Sequence, residues 1–236
     1  MSSIYLIGDS TVNRTEEPFH GWGWALHEYI REDVPVFNHA QSGRSSKSFR
    51  EEGWFGPVRE AMHPGDLLLI QFGHNDAKDD GRHTDPETTY TDELKAYCRA
   101  ARAKKALPML LTSVSRRMFV GSGSLLYTHG EYPRAVRVLA RRLRIPLGNL
   151  EQDSRRLYLL LGEEKTASLF VRLAPGEHPD YPEGHDDKTH FNARGARVIA
   201  ALVAGEMSRD ERTAGFLRAD WKKIALDNGI PEAFPL

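Results

Sequence analysis

A serine near the amino terminus, and a histidine far downstream with an aspartate three residues before it, are parts from which an acyl-transfer site can be built. Acyl transfer needs a hydroxyl nucleophile, a base to take its proton, a group that orients the base, and donors for the oxyanion. The run Gly8-Asp9-Ser10-Thr11 offers the hydroxyl, and Asp187-Lys188-Thr189-His190 offers a base with a carboxylate that one turn brings to the imidazole. Asp186 competes with Asp187 for the orienting place. Two other polar blocks stand between them, Asn38-His39-Ala40-Gln41-Ser42-Gly43-Arg44 and Gly73-His74-Asn75-Asp76. Gly43 lets a backbone N–H approach a ligand closely. Each block also has a plain structural reading, since Ser10 suits an N-cap or turn and Asn75-Asp76 suits a turn. The order Ser, Asp, His is compatible with hydrolysis, and the lack of a G-x-S-x-G run disfavours a nucleophile elbow.

Such distant blocks act together only on a scaffold that gathers them. Short apolar runs at 4–7, 34–38, 67–72, 109–113 and, more weakly, 146–149 read as strands. Between them, 24–31, 55–62, 91–105 and 133–144 carry apolar residues three and four apart, the spacing of helices with one buried face. A last helix spans 193–207, with Asn192 placed as its N-cap. Alternation of this kind predicts parallel βαβ units and an α/β fold. The first three polar blocks then fall at the carboxyl ends of strands, where open α/β sheets bind ligands. No repeat or linker divides the chain, so 1–236 reads as a single domain, with long polar loops at 77–89 and 174–188 beside the blocks.

Composition narrows the function classes. Among 236 residues, 32 Lys and Arg face 33 Asp and Glu, for a net charge of −1, which supplies no basic field for nucleic acid or an anionic membrane. Apolar runs fall far short of the roughly 18 residues a membrane span needs. Cys98 is the only cysteine, so neither an intrachain disulfide nor a thiolate zinc cluster is expected. The first residues lack a basic segment followed by an apolar one, and the expected address is cytoplasmic. The His and Asp residues of the two polar loops have metal-ligand chemistry, but a serine mechanism needs no ion. Neither metal nor cofactor is expected.

Taken together, the four blocks resemble the SGNH, or GDSL-type, hydrolase superfamily, matching its Ser, Gly, Asn and His as Ser10, Gly43, Asn75 and His190. That resemblance implies a three-layer α/β/α sandwich with a parallel five-stranded flavodoxin-like sheet in the order 2-1-3-4-5. It selects Asp187 over Asp186, and it implies an oxyanion hole made by the Ser10 and Gly43 N–H groups and the Asn75 amide. The wording of the blocks is most similar to the rhamnogalacturonan acetylesterase group, as in Gly8-Asp9-Ser10-Thr11-Val12, Gly43-Arg44-Ser45-Ser46-Lys47-Ser48-Phe49 and Asp187-Lys188-Thr189-His190-Phe191. The expected activity is removal of acetyl groups from carbohydrate by a serine esterase, with pectin-derived oligosaccharides as substrate. Arg44 is then a candidate for a uronate carboxylate, Trp54 for stacking on sugar, and His74 for a further substrate contact. Competing readings are a lysophospholipase, a thioesterase or another sugar acetylesterase of the same superfamily, and a non-catalytic flavodoxin-like module that binds carbohydrate or nucleotide. A mean hydropathy of −0.52 does not favour a lipid groove.

Overall fold

Strands covered on both faces must be apolar throughout, and Ile4–Gly8 (β1) and Leu67–Gln71 (β3) have every residue buried. The computed structural model, which describes residues 2–13, 17–121 and 123–236, pairs these two in parallel, with Ile4 opposite Leu67 and Gly8 opposite Gln71. Val36–Asn38 (β2) flanks β1, Leu107–Leu111 (β4) flanks β3, and Leu147–Gly148 (β5) closes the sheet. The order is 2-1-3-4-5 and all pairings are parallel, as expected.

Alternate residues of the central strands enter two separate cores, one on each face of the sheet. Ile4, Leu6, Leu67 and Leu69 pack in the core that holds Trp22 and Tyr29, while Tyr5, Ile7, Leu68 and Ile70 pack in the one that holds Phe49, Phe72 and Tyr97. The first core is covered by Trp22–Ala25 (α1), Leu150–Ala167 (α6) and Ala193–Ser208 (α7). The second is covered by Ser46–Glu51 (α2), Phe55–Ala61 (α3), Thr89–Ala103 (α4) and Tyr132–Leu143 (α5). Three layers result.

Several expectations shift. The helix expected over 24–31 is α1 followed by a 3-10 turn, Leu26–Tyr29. The strand expected over 109–113 begins earlier, at Leu107, and so includes Pro108. A proline in a strand is tolerated where its missing N–H has no partner to lose. Leu110, of the same parity as Pro108, donates to Pro146 on the β5 side, and β5 pairs only with Leu110 and Leu111. Pro108 precedes that pairing. The loop expected over 174–188 is partly a strand: His185–Phe191 (β7) pairs antiparallel with Phe170–Leu173 (β6), setting Leu173 opposite His185 and Phe170 opposite Phe191.

Candidate active site

Ser10 leaves β1 in a tight turn built by its neighbour. Asp9 Oδ1 accepts the Thr11 N–H at 2.9 Å and the Thr11 hydroxyl at 2.8 Å, while the Asp9 carbonyl accepts the Val12 and Asn13 N–H groups. Asp9 is fully buried, and that burial pushes its carboxyl up to about 6 against the lowering effect of the Thr11 hydrogen bonds, His190 and Arg116.

His190 stands near the end of β7, three residues before α7 begins at Ala193. Asn192 fixes that junction, since its Oδ1 accepts the Gly195 N–H at 2.9 Å and its Nδ2 donates to the Ser168 and Phe170 carbonyls at 3.0 Å. The imidazole then lies with Nε2 2.9 Å from Ser10 Oγ and Nδ1 2.8 Å from Asp187 Oδ2. Asp187 Oδ1 accepts the N–H groups of Thr189 at 2.6 Å and His190 at 2.9 Å. Burial opposes the Asp187 charge, but the hydrogen bonds from the His190 ring and backbone outweigh it. The carboxyl is held well below the usual carboxylate range. An ionised carboxylate accepts only, so Nδ1 of His190 carries the hydrogen and Nε2 presents its lone pair to the serine. Asp186, the competing carboxylate, is engaged elsewhere, by the Arg117 and Arg172 guanidinium groups.

The loops after β2 and β3 meet Ser10 from the other side. Gly43 has φ +77, a backbone that favours glycine. Ser45 caps α2 directly behind it, and Asp76 ties that cap to the β3 loop by accepting from the Ser46 N–H at 3.0 Å and from Thr84 Oγ1. Asn75 Nδ2 donates to the Arg44 carbonyl at 3.0 Å, leaving its second amide hydrogen available. Arg82 spans both loops, reaching the Gly43 carbonyl at 3.2 Å and Asn75 Oδ1 at 3.4 Å. Among the described residues, neither the Ser10 nor the Gly43 N–H donates to a protein group.

A cavity of about 630 Å³ is lined by Ser10, Gly43, Asn75, Asp187 and His190, together with Phe19, His20, Tyr181 and His185. Spacing gave no reason to place Phe19, His20 or Tyr181 here, and it marked His185 only among the polar-loop residues with metal-ligand chemistry. They arrive through the β6–β7 hairpin and through the pairing of His20 with Phe191. A separate cleft between α4 and α5, of about 230 Å³, is lined by Glu87, Lys95 and Arg134 among others and holds no serine or histidine. Among the described residues, no three His, Cys, Asp or Glu side chains converge as metal ligands would.

The three expected substrate contacts lie outside the cavity wall. Arg44 is beside it, but its Nε is 2.8 Å from Glu52 Oε2, and its guanidinium covers the Trp54 ring at 5.7 Å. Trp54 Nε1 donates to the same Glu52 oxygen at 2.9 Å, and the residue is 39% exposed. His74 is 4% exposed, and its Nδ1 lies 2.9 Å from His129 Nε2. Burial, chiefly, and the nearby charges of His129 and Arg116 lower its pKa well below the ordinary value.

A serine, imidazole and carboxylate in series at the carboxyl edge of a parallel sheet in flavodoxin order is the arrangement of a serine-dependent hydrolase. The chain belongs to the GDSL-like lipase/acylhydrolase family, which matches it over residues 6–198. It is 44% identical over 204 residues to the rhamnogalacturonan acetylesterase RhgT of Bacillus subtilis (strain 168), covering 85% of this chain and 87% of that protein. A rhamnogalacturonan acetylesterase of Emericella nidulans is 31% identical over 221 residues, 84% of this chain and 81% of the relative. Among solved structures, YxiM of Bacillus subtilis superposes with a TM-score of 0.77 at 27% identity, over 88% of this chain and 56% of that longer one.

Proposed function

We propose that the protein is a serine acetylesterase that deacetylates carbohydrate, with rhamnogalacturonan oligosaccharides as its substrate class. The observation that carries this reading is the unbroken relay from Ser10 Oγ through His190 to Asp187, at 2.9 and 2.8 Å, opening into one cavity. The likeness to named rhamnogalacturonan acetylesterases supports the choice of substrate.

In this reading His190 Nε2 takes the Ser10 proton as Oγ attacks the acetyl carbonyl. The carbonyl oxygen, gaining charge, accepts from the free N–H groups of Ser10 and Gly43 and from the spare Asn75 amide hydrogen. The imidazolium, stabilised by Asp187, hands its proton to the departing sugar oxygen. Water, activated by the same nitrogen, then releases acetate and restores the serine. Arg44 and Trp54, held together by Glu52 beside the Gly43 loop, are the proposed contacts for sugar beyond the acetyl group. We include the single domain 1–236 and a cytoplasmic address in the proposal. The two hydrophobic cores support the first.

The test is acetate release from acetylated rhamnogalacturonan and acetylated xylan oligosaccharides of matched length, beside hydrolysis of a long-chain ester. The expected order of kcat/KM is rhamnogalacturonan, then xylan, then the long-chain ester. Equal values for the two polysaccharide fragments would leave a general carbohydrate acetylesterase, and preference for the long chain would replace the proposal with a lipase.

A further inference from the structure

The Asp187 carboxylate serves two imidazoles. Its Oδ2 lies 2.8 Å from His190 Nδ1 and 3.1 Å from His185 Nε2, while its Oδ1 is taken up by the Thr189 and His190 N–H groups. Because the carboxylate cannot donate, His185 must bear its hydrogen on Nε2. The ring itself is held from two sides, against Tyr181 with centroids 4.5 Å apart and edge-on to Phe19 at 6.1 Å. Stacking alone asks only for an aromatic ring. An N–H aimed at the oxygen that His190 also uses asks for more.

Asp187 is only 11% exposed, yet it borders the open cavity, so a donor on Oδ2 besides His190 is either solvent or protein. A water there would reorient as positive charge develops on His190, whereas an N–H carried by a side chain of the hairpin is tethered in place. His185 cannot replace His190 as the base, since its Nε2 is directed to Asp187 and it is His190 that reaches Ser10.

We propose that His185 is a positioning residue: its Nε2–H fixes Asp187 Oδ2 from the cavity side and keeps the carboxylate in line with His190 Nδ1 while the serine reacts. The inference rests on the assignment of Ser10, His190 and Asp187 made above. It requires a donor at this position and does not require a ring.

Three variants separate donor from ring. His185→Gln keeps an N–H at similar reach, His185→Phe keeps the ring alone, and His185→Met is close in length to Gln but has no donor. With a small chromogenic acetate as substrate, His185→Phe and His185→Met should lose about tenfold in kcat with KM changed less than about twofold, the scale of one lost hydrogen bond to a charged group. His185→Gln should stay within about threefold of wild type, as a restored hydrogen bond to a charged acceptor requires. Thermal melts run alongside, and if His185→Phe does not fold, the Gln and Met pair decides. Equal kcat for His185→Gln and His185→Met, or a fully active His185→Phe, overturns the inference. Ser10→Ala is the control: if it keeps turnover, the serine assignment has failed instead, and if it is inactive while the His185 variants behave alike, only the role of His185 has failed.

Discussion

Asp187 and Asp186 are adjacent in sequence and opposite in environment. One meets His190, and the other meets the guanidinium groups of Arg117 and Arg172. Asp187→Asn would place a donor or a neutral acceptor against Nδ1 and favour the wrong tautomer, so turnover should fall by up to about 10⁴, as in other serine triads. Asp186→Asn should leave kcat within about threefold and lower thermal stability instead, because it leaves the Arg117 charge, 6% exposed, poorly paired. Steady-state kinetics with melting curves on both variants checks the pair. Asp9 gives a prediction of pH dependence. Its carboxyl is raised to about 6 in the fold, above the ordinary value near 3.9, so the folded state holds the proton more tightly than the unfolded state. Stability from this group is therefore present in acid and lost as pH rises from about 4 to about 6. Asp9→Asn keeps an acceptor for Thr11 and cannot ionise. Urea unfolding from pH 4 to 7 should show the variant gaining on wild type by an amount on the order of 1 to 3 kcal/mol, and parallel profiles would contradict it. At this scale part of the site was legible: Ser10 and Asn75 follow apolar runs, the family resemblance singled out Gly43, Asp187 and His190, and all five line one cavity. Tyr181 carried no such signal, and His185 stood out only as a polar-loop residue with metal-ligand chemistry, because their place beside Asp187 depends on how a hairpin folds back and not on spacing.

Elements that repeat a local pattern were readable, and those made by distant pairing were not. The buried strands β1 and β3 are apolar throughout, and α4 and α5 show one apolar face in sequence. In contrast, β7 runs His185-Asp186-Asp187-Lys188-Thr189-His190-Phe191, with polar residues that suit a loop. It is a strand because β6 pairs with it. The helix α6 escaped notice for another reason: Gly162 interrupts it with φ 76, and Leu159 and Leu160 are about half exposed, which blurs the amphipathic pattern. The junction after β7 is where element packing bears on the site. A Cβ added at Gly195 would lie 1.8 Å from the Leu169 carbonyl oxygen, a backbone atom that cannot swing aside. Gly195→Ala should therefore push α7 away from β6, lower the unfolding free energy by more than about 2 kcal/mol, and reduce kcat through displacement of His190. Denaturant melts and kinetics on the same preparation test this, and an unaltered midpoint would show that the helix start yields without cost.

Across the whole molecule, the central sheet and the β6–β7 hairpin together bring Ser10 and His190, 180 positions apart, into contact. The β1–β3 switch point supplies the crevice, and the two cores on either face hold the strand ends in register. The central claim is that Ser10 is the nucleophile of an acetylesterase, and the direct measurement is acetate release from acetylated rhamnogalacturonan oligosaccharides by wild type and by Ser10→Ala, with the fold of both verified by circular dichroism. Loss of the nucleophile should cut kcat by a factor on the order of 10⁴ or more without loss of structure. Turnover by a folded Ser10→Ala within about tenfold of wild type would contradict the account, because no acyl-enzyme could then form at this residue.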